Sequence, residues 1–262
     1  SEILKKICPA GKILGINPHK LGPVHSVLKI MSEIDNNLPI IINYCDFNSY
    51  WNYKKFKKIV EEKKYDGCVV VYNGFHPHTI YNNSYGYIKE KNSKVIDIKE
   101  KKTFTKNPVN ELTSNGTYYF KNKEILNKYI YKSIKEKLHV NNEYYISMIY
   151  KPMIREAKRI GFYKINYFSQ WGTPLDFNEY NNWSEKFKNI IKIKRTKNIN
   201  GILVIPAAGL GKRFINKDYK IHKPLIPVSG KPMIIQSKLM YSARTNRLSV
   251  FGEENTSEIE CS

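Results

Sequence analysis

Residues 201–234 read GILVIPAAGLGKRFINKDYKIHKPLIPVSGKPMI. The β-branched run at 202–205, closed by Pro206 and followed by Gly209 and Gly211, has the pattern of a buried parallel strand that empties into a turn. Glycines at such a turn let backbone N–H groups approach a phosphate, and Lys212, Arg213 and Lys223 place positive charge beside it. Neither common glycine fingerprint is complete. Gly209-Leu210-Gly211 lacks the third glycine of the dinucleotide pattern, and Lys212 is followed by Arg213 where a Walker loop needs Ser or Thr. Taken alone, the GxG fits a strand-to-helix turn as well as an anion-binding loop.

The longer string, GLGKRF at 209–214 followed by HKPLIPVSGKPMI at 222–234, resembles the N-terminal signature of the nucleotidyltransferases that make nucleoside-diphosphate sugars and related activated head groups. The resemblance implies that Ala208, Gly209, Gly211 and Arg213 bind the nucleoside triphosphate. It further implies that Arg213 and Lys223 stabilise its phosphates. In that family the segment opens the catalytic domain, whereas here 200 residues precede it.

The remaining chain carries further matches, in the order of the family's middle and end. The apolar run LPIIINYC at 38–45 is followed at once by Asp46. A hard carboxylate at a strand's carboxyl end is where Mg²⁺ on nucleotide phosphates would be held, and the resemblance implies that role for Asp46. A helix N-cap is the other reading of an Asp in that place. The runs at 85–91 and 94–99 predict a hairpin about Asn92-Ser93 that leads to Glu100 and Lys101. By resemblance this pair contacts the acceptor, with Lys101 also serving the phosphates. SNGTYYF at 114–120 is similar to the family's Asn-Gly-x-Tyr strand, which implies that Asn115 and Gly116 line the acceptor pocket. QWGTP at 170–174 resembles the family's closing Asp-x-Gly-Thr-Pro, but Gln170 stands where the acid belongs and brings no negative charge.

The chain of 262 residues, 41% hydrophobic, can bury a substantial core. Its apolar runs fall short of the ~20 residues that span a bilayer, so a cytoplasmic location without membrane contact is expected. Four cysteines without a CxxC pair give neither a zinc site nor a disulfide framework. Forty-four Lys and Arg against 23 Asp and Glu give a net charge of +21, enough to attract polyanions. The charge is spread along the chain among Asn and Ile, which does not favour nucleic acid as the partner.

Local pattern predicts short strands at 13–16, 66–72 and 161–168, and helices at 19–31, 51–64, 121–138, 142–157 and 181–193. The expected fold is α/β: a three-layer α/β/α, Rossmann-like (GT-A-like) arrangement with a mixed, mostly parallel sheet, incomplete or permuted. The expected organisation is a nucleotidyltransferase body at 1–180, a linker or helix at 181–200, the N-terminal signature segment at 201–243 and a disordered tail at 244–262. Two accounts of the inverted order stand open. The chain is a piece of a tandem enzyme, or its C-terminal segment completes the first domain as a circular permutation would. The resemblance implies transfer of a nucleoside monophosphate from a nucleoside triphosphate to a phosphorylated sugar or small alcohol, with Mg²⁺, toward surface-polysaccharide precursors. The rival is a non-catalytic fragment or nucleotide-binding module. A homo-oligomer is compatible with either.

Overall fold

The computed structural model describes residues 2–80, 83–192, 204–205, 214, 221, 223–235 and 249–250. The chain divides into two compact units, 1–182 and 183–262.

In the first unit the sheet is built on β3 (Gly67–Tyr72), a run of six buried residues. A strand's side chains alternate between faces, and here both faces are covered. Val69 and Val71 enter a core with Val24 of α2 (Pro23–Lys29), Leu126 and Ile130 of α4 (Lys123–Lys135), and Met153 of α5 (Tyr150–Arg155). Cys68, Val70 and Tyr72 enter a second core with Phe56 and Val60 of α3 (Tyr53–Glu62). Two helical layers around one sheet are thus the direct result of one apolar strand.

The remaining strands of this unit are β1 (Ile40–Asn43), β2 (Phe47–Tyr50), β4 (Gly86–Lys91), β5 (Lys94–Glu100), β6 (Leu112–Phe120), β7 (Ile160–Lys164) and β8 (Tyr167–Gln170). The main sheet runs β5-β4-β6-β3-β7, with β1 also paired to β6. It is mixed, as the fold class requires, but the expected majority of parallel strands is not found among the described residues. β3 and β7 are parallel, whereas β1–β6, β3–β6, β4–β5 and β4–β6 are antiparallel. A continuous apolar run marks burial on both faces and carries no information about strand direction.

Several boundaries follow from local chemistry. The hairpin turns through Asn92 (φ 51°) and Ser93 (φ 62°), the left-handed pair of a two-residue turn. Pro23 supplies the first turn of α2. The expected strand at 13–16 does not form; Ile13, Leu14 and Ile16 are exposed and no described strand pairs with them. The expected helix at 142–157 becomes a 3₁₀ turn, Ile146–Ile149, followed by α5. The expected strand at 161–168 breaks at Ile165-Asn166 into β7 and β8, and β8 leaves the main sheet to pair antiparallel with β2. The helix placed at 181–193 begins earlier, as α6 (Pro174–Lys192). Thr173 Oγ1 accepts from the Asp176 N–H at 3.2 Å and donates to its carboxylate at 2.6 Å, a reciprocal cap that fixes the start. The N-terminal α1 (Glu2–Ile7) buries no residue.

Gly67 shows how tightly β3 is seated. A Cβ there would lie 2.6 Å from Cε1 of Tyr150. That ring is fully buried, stacked on Phe120 at 5.0 Å and held through its hydroxyl to the carbonyls of Cys68 (3.2 Å) and Tyr119 (2.9 Å). Gly67→Ala is therefore expected to cost about 1–3 kcal/mol by overpacking, read as a lowered urea midpoint with an unchanged slope.

In the second unit, β9 (Val204–Ile205) pairs in parallel with β12 (Ser249–Val250), and β10 (Pro227–Val228) with β11 (Lys231–Pro232) antiparallel. Ser249 and Val250, which pair with Val204 and Ile205, fall in the segment 244–262; the rest of that segment lies outside the described residues.

Candidate functional site

The site assembles where β1 ends and β2 begins. Asp46 sits in this connection, with its side chain exposed. It does not cap a helix: α3 is capped by Asn52, whose Oδ1 accepts from the Lys55 N–H at 2.9 Å. The pairing of Phe47 with Gln170 across β2 and β8 brings Asp46 beside the residues that follow β8. Trp171 donates its N–H to the Asp46 carbonyl at 2.7 Å. Gly172 lies so close that a Cβ there would be 2.9 Å from Oδ2 of Asp46. Two segments more than a hundred residues apart in the chain are thus joined end to end.

β6 enters the same place through a break in its ladder. Val69 pairs with Tyr118 but Val71 pairs with Ser114, so residues 115–117 bulge out of register. Bulges re-aim side chains and are frequent beside functional sites. Gly116 there has φ 94°, and a Cβ on it would meet the rings of Phe47 (3.0 Å) and Tyr44 (3.2 Å). The Gly116 carbonyl accepts from the Tyr44 N–H at 3.1 Å. Asn115 is 1% exposed. Its Oδ1 takes the Thr117 N–H at 2.9 Å, yet its buried Nδ2 has no hydrogen-bond partner among the described residues.

Tyr85 links this group to Glu100 and Lys101. Its hydroxyl donates to Oε1 of Gln170, and its carbonyl accepts the Lys101 N–H at 2.9 Å. Burial, then the charges of Asp176 and Asp46, push the Tyr85 phenol well above its usual range. The field of Asp176 therefore reaches the site as that of Asp46 does. Sequence reasoning left Asp176 unassigned, although Thr173 three residues before it was a legible sign of a helix start. Glu100 is 8% exposed and accepts from the Ser147 hydroxyl. Burial raises its carboxyl to about 7, against the opposing pull of Ser147 and Lys101. Lys101 takes the left-handed φ of 54°. Its ammonium donates to the Tyr145 hydroxyl, lies 4.5 Å from that ring's centroid and 3.9 Å from Glu143.

The structure thus brings Asp46, Asn115, Gly116 and Gln170 together around residues 44–47, with Glu100 and Lys101 tied in through Tyr85. Lys223 is exposed at the start of a 3₁₀ turn in the second unit. Ala208, Gly209, Gly211 and Arg213 lie outside the described residues. As for a cation, no group of three or more His, Cys, Asp or Glu side chains suited to a metal occurs among the described residues. Asp46 is one exposed hard carboxylate, which fits an ion held mainly by substrate phosphates and water. Among the described residues no helix is long and apolar enough to cross a membrane.

No protein-family model matches the chain, and no curated protein does. Solved structures do. A UDP-glucose pyrophosphorylase complexed with UDP-glucose aligns with TM-score 0.52 and 18% identity over 65% of this chain and 64% of that one. A Bacillus anthracis protein described as a glucose-1-phosphate thymidylyltransferase, in complex with sucrose, aligns with TM-score 0.50 and 14% identity over 65% and 63%. A nucleoside-diphosphate-sugar pyrophosphorylase from Vibrio cholerae gives 0.49 and 19% over 63% and 66%. The chain spans less than two thirds of the length of these proteins. At such identities the likeness is one of fold, and that fold is the mixed α/β, Rossmann-like architecture of the nucleotidyltransferases.

Proposed function

We propose that the chain transfers a nucleoside monophosphate from a nucleoside triphosphate to a phosphorylated sugar or small alcohol, releasing pyrophosphate, in the supply of activated precursors for surface polysaccharide. The observation that carries the reading is the buried Nδ2 of Asn115 in the β6 bulge, which has no hydrogen-bond partner among the described residues. A buried donor left unmade costs about 1–3 kcal/mol, and an acceptor-ligand oxygen at that place would satisfy it. Gly116 beside it exposes backbone where a side chain would collide with Phe47 and Tyr44.

In this reading the protein positions its substrates and neutralises their charge, and the acceptor phosphate, already an oxyanion, attacks the α-phosphorus without a general base. Mg²⁺ would supply charge neutralisation on the triphosphate, held by Asp46. By the sequence resemblance, Gly209, Gly211 and Arg213 bind the triphosphate and Lys223 contacts its phosphates. By the same resemblance, Lys101 with Glu100, Asn115 and Gly116 orients the acceptor, and Lys101 also serves the phosphates. Gln170 favours a second reading: its amide is taken up by Tyr85, and a chain lacking that second negative charge could bind nucleotide without turnover.

The test is Mg²⁺-dependent pyrophosphate release from each common nucleoside triphosphate with a panel of sugar and amino-alcohol phosphates. Release that requires both the acceptor and Mg²⁺ is the expected result. Silence across the panel, from a protein that melts cooperatively, rejects turnover and leaves the nucleotide-binding reading.

A further inference from the structure

The register break of β6 is held by a chain of buried hydroxyls that the reaction itself does not use. Ser114 and Tyr118 lie on β6, on either side of Gly116, and Ser147 lies in the 3₁₀ turn Ile146–Ile149; all three are buried. Ser114 Oγ accepts the Gly116 N–H at 3.1 Å. The Tyr118 phenol is hydrogen-bonded to the hydroxyls of both Ser114 and Ser147. The Ser147 hydroxyl in turn donates to Oε2 of Glu100, at the end of β5. Hydrogen bonds therefore run without a gap from the bulge to a buried carboxyl group.

The ends of this chain give it a direction. A hydroxyl has a single proton to donate, and that of Ser147 is committed to Glu100. The bond between Tyr118 and Ser147 must then use the phenol's proton, which leaves Ser114 to donate to Tyr118. Every donor from the Gly116 N–H onward thus points toward Glu100. Bonds aligned in this way polarise one another, so the loss of one hydroxyl weakens the rest. The Gly116 carbonyl is held separately, by the Tyr44 N–H, and the Tyr44 ring meets that of Tyr118 edge-on at 5.9 Å. We propose that Tyr118 and Ser147 are positioning residues for the acceptor: acting through Ser114, they fix Gly116, and Asn115 beside it, in the out-of-register conformation that presents the pair to the ligand. This rests on the acceptor role proposed above for Asn115 and Gly116.

Tyr118→Phe removes the hydroxyl and keeps the ring against Tyr44. Hydrogen exchange of the full chain, read by mass spectrometry, is expected to be about tenfold faster at 114–118 in this variant, with 67–72 as protected as in wild type. Ser147→Ala, in a different element, is expected to do the same, and either variant suffices where the other fails to fold. The double variant is expected to exchange no faster than either single one. In the pyrophosphate-release assay the acceptor KM is expected to rise about tenfold, with kcat and the nucleoside triphosphate KM within about twofold of wild type, a split that general destabilisation does not produce. Unchanged exchange at 114–118, or additive effects of the two changes, overturns the chain of hydroxyls. Faster exchange with an unchanged acceptor KM overturns the positioning role. A wild type that releases no pyrophosphate with any acceptor rejects the transferase reading, and the exchange alone then upholds or overturns the hold on the bulge.

Discussion

Asp46→Ala is expected to lower Mg²⁺-dependent pyrophosphate release by on the order of 10²–10³-fold, the several kcal/mol that charge stabilisation by a held cation supplies. The fold is expected to survive the change. The Asp46 side chain is exposed, and its structural bond, the carbonyl that accepts from Trp171, belongs to the backbone and is untouched. The apparent Mg²⁺ requirement should rise along with the loss of rate, because Gln170 offers only a neutral amide that Tyr85 already engages. Asp176→Asn is the informative control. Its carboxylate accepts from the Thr173 hydroxyl at the start of α6, while the cap itself, the Asp176 N–H given to Thr173 Oγ1, survives the change, so a loss of about 0.3–1 kcal/mol of stability from the missing charge at the helix start is expected, with little change in Mg²⁺ affinity. Equal rates for wild type and Asp46→Ala would remove Asp46 from the chemistry altogether.

What the sequence disclosed and what it hid divide along the range of the interactions involved. The run at 67–72 showed its burial because β-branched residues on both faces leave no polar side, and the structure covers both. The Asn92-Ser93 turn was legible because few residue pairs tolerate positive φ in succession. Strand direction was not legible, since β6 returns antiparallel beside β3 by virtue of the path between them, which no residue of either strand encodes. Asn115 and Gly116 could be singled out by their resemblance to a known pattern. Their bulge could not, because it exists only as a mismatch of register with β3. The same holds for the contact of Tyr85 with Gln170, 85 residues away. Asp46 illustrates both cases: its position after an apolar run suggested a strand end, but only the pairing of β2 with β8 set it beside Gly172 and decided against a helix cap.

Glu100 yields the second large effect, on stability as a function of pH. Burial moves its carboxyl from the ordinary 4.5 to about 7 in the folded chain. Below about pH 4.5 the folded and unfolded states both hold the proton. Between there and about 7 the folded state keeps a proton that the unfolded state releases, so stability falls as pH rises, and above 7 the loss is complete. Keeping the proton from 4.5 up to about 7 corresponds to roughly 3 kcal/mol lost between pH 4.5 and 8. Glu100→Gln preserves the shape and removes the charge, so it is expected to match wild type near pH 4.5 and to exceed it by about 2–3 kcal/mol at pH 8 in urea unfolding. Other groups do not imitate this signature. The buried phenols of Tyr44 and Tyr118 are raised further from neutrality and stay uncharged. Glu156 is depressed to about 2, chiefly by Lys132, so what it contributes is lost only in acid. His25 and His76, lowered mainly by burial, add stability as pH rises through their range, the opposite slope. All of these are common to both proteins and cancel in the difference between wild type and Glu100→Gln. An identical pH slope in the two would mean that Glu100 is ionised at no such cost and that its burial beside Ser147 is fully compensated.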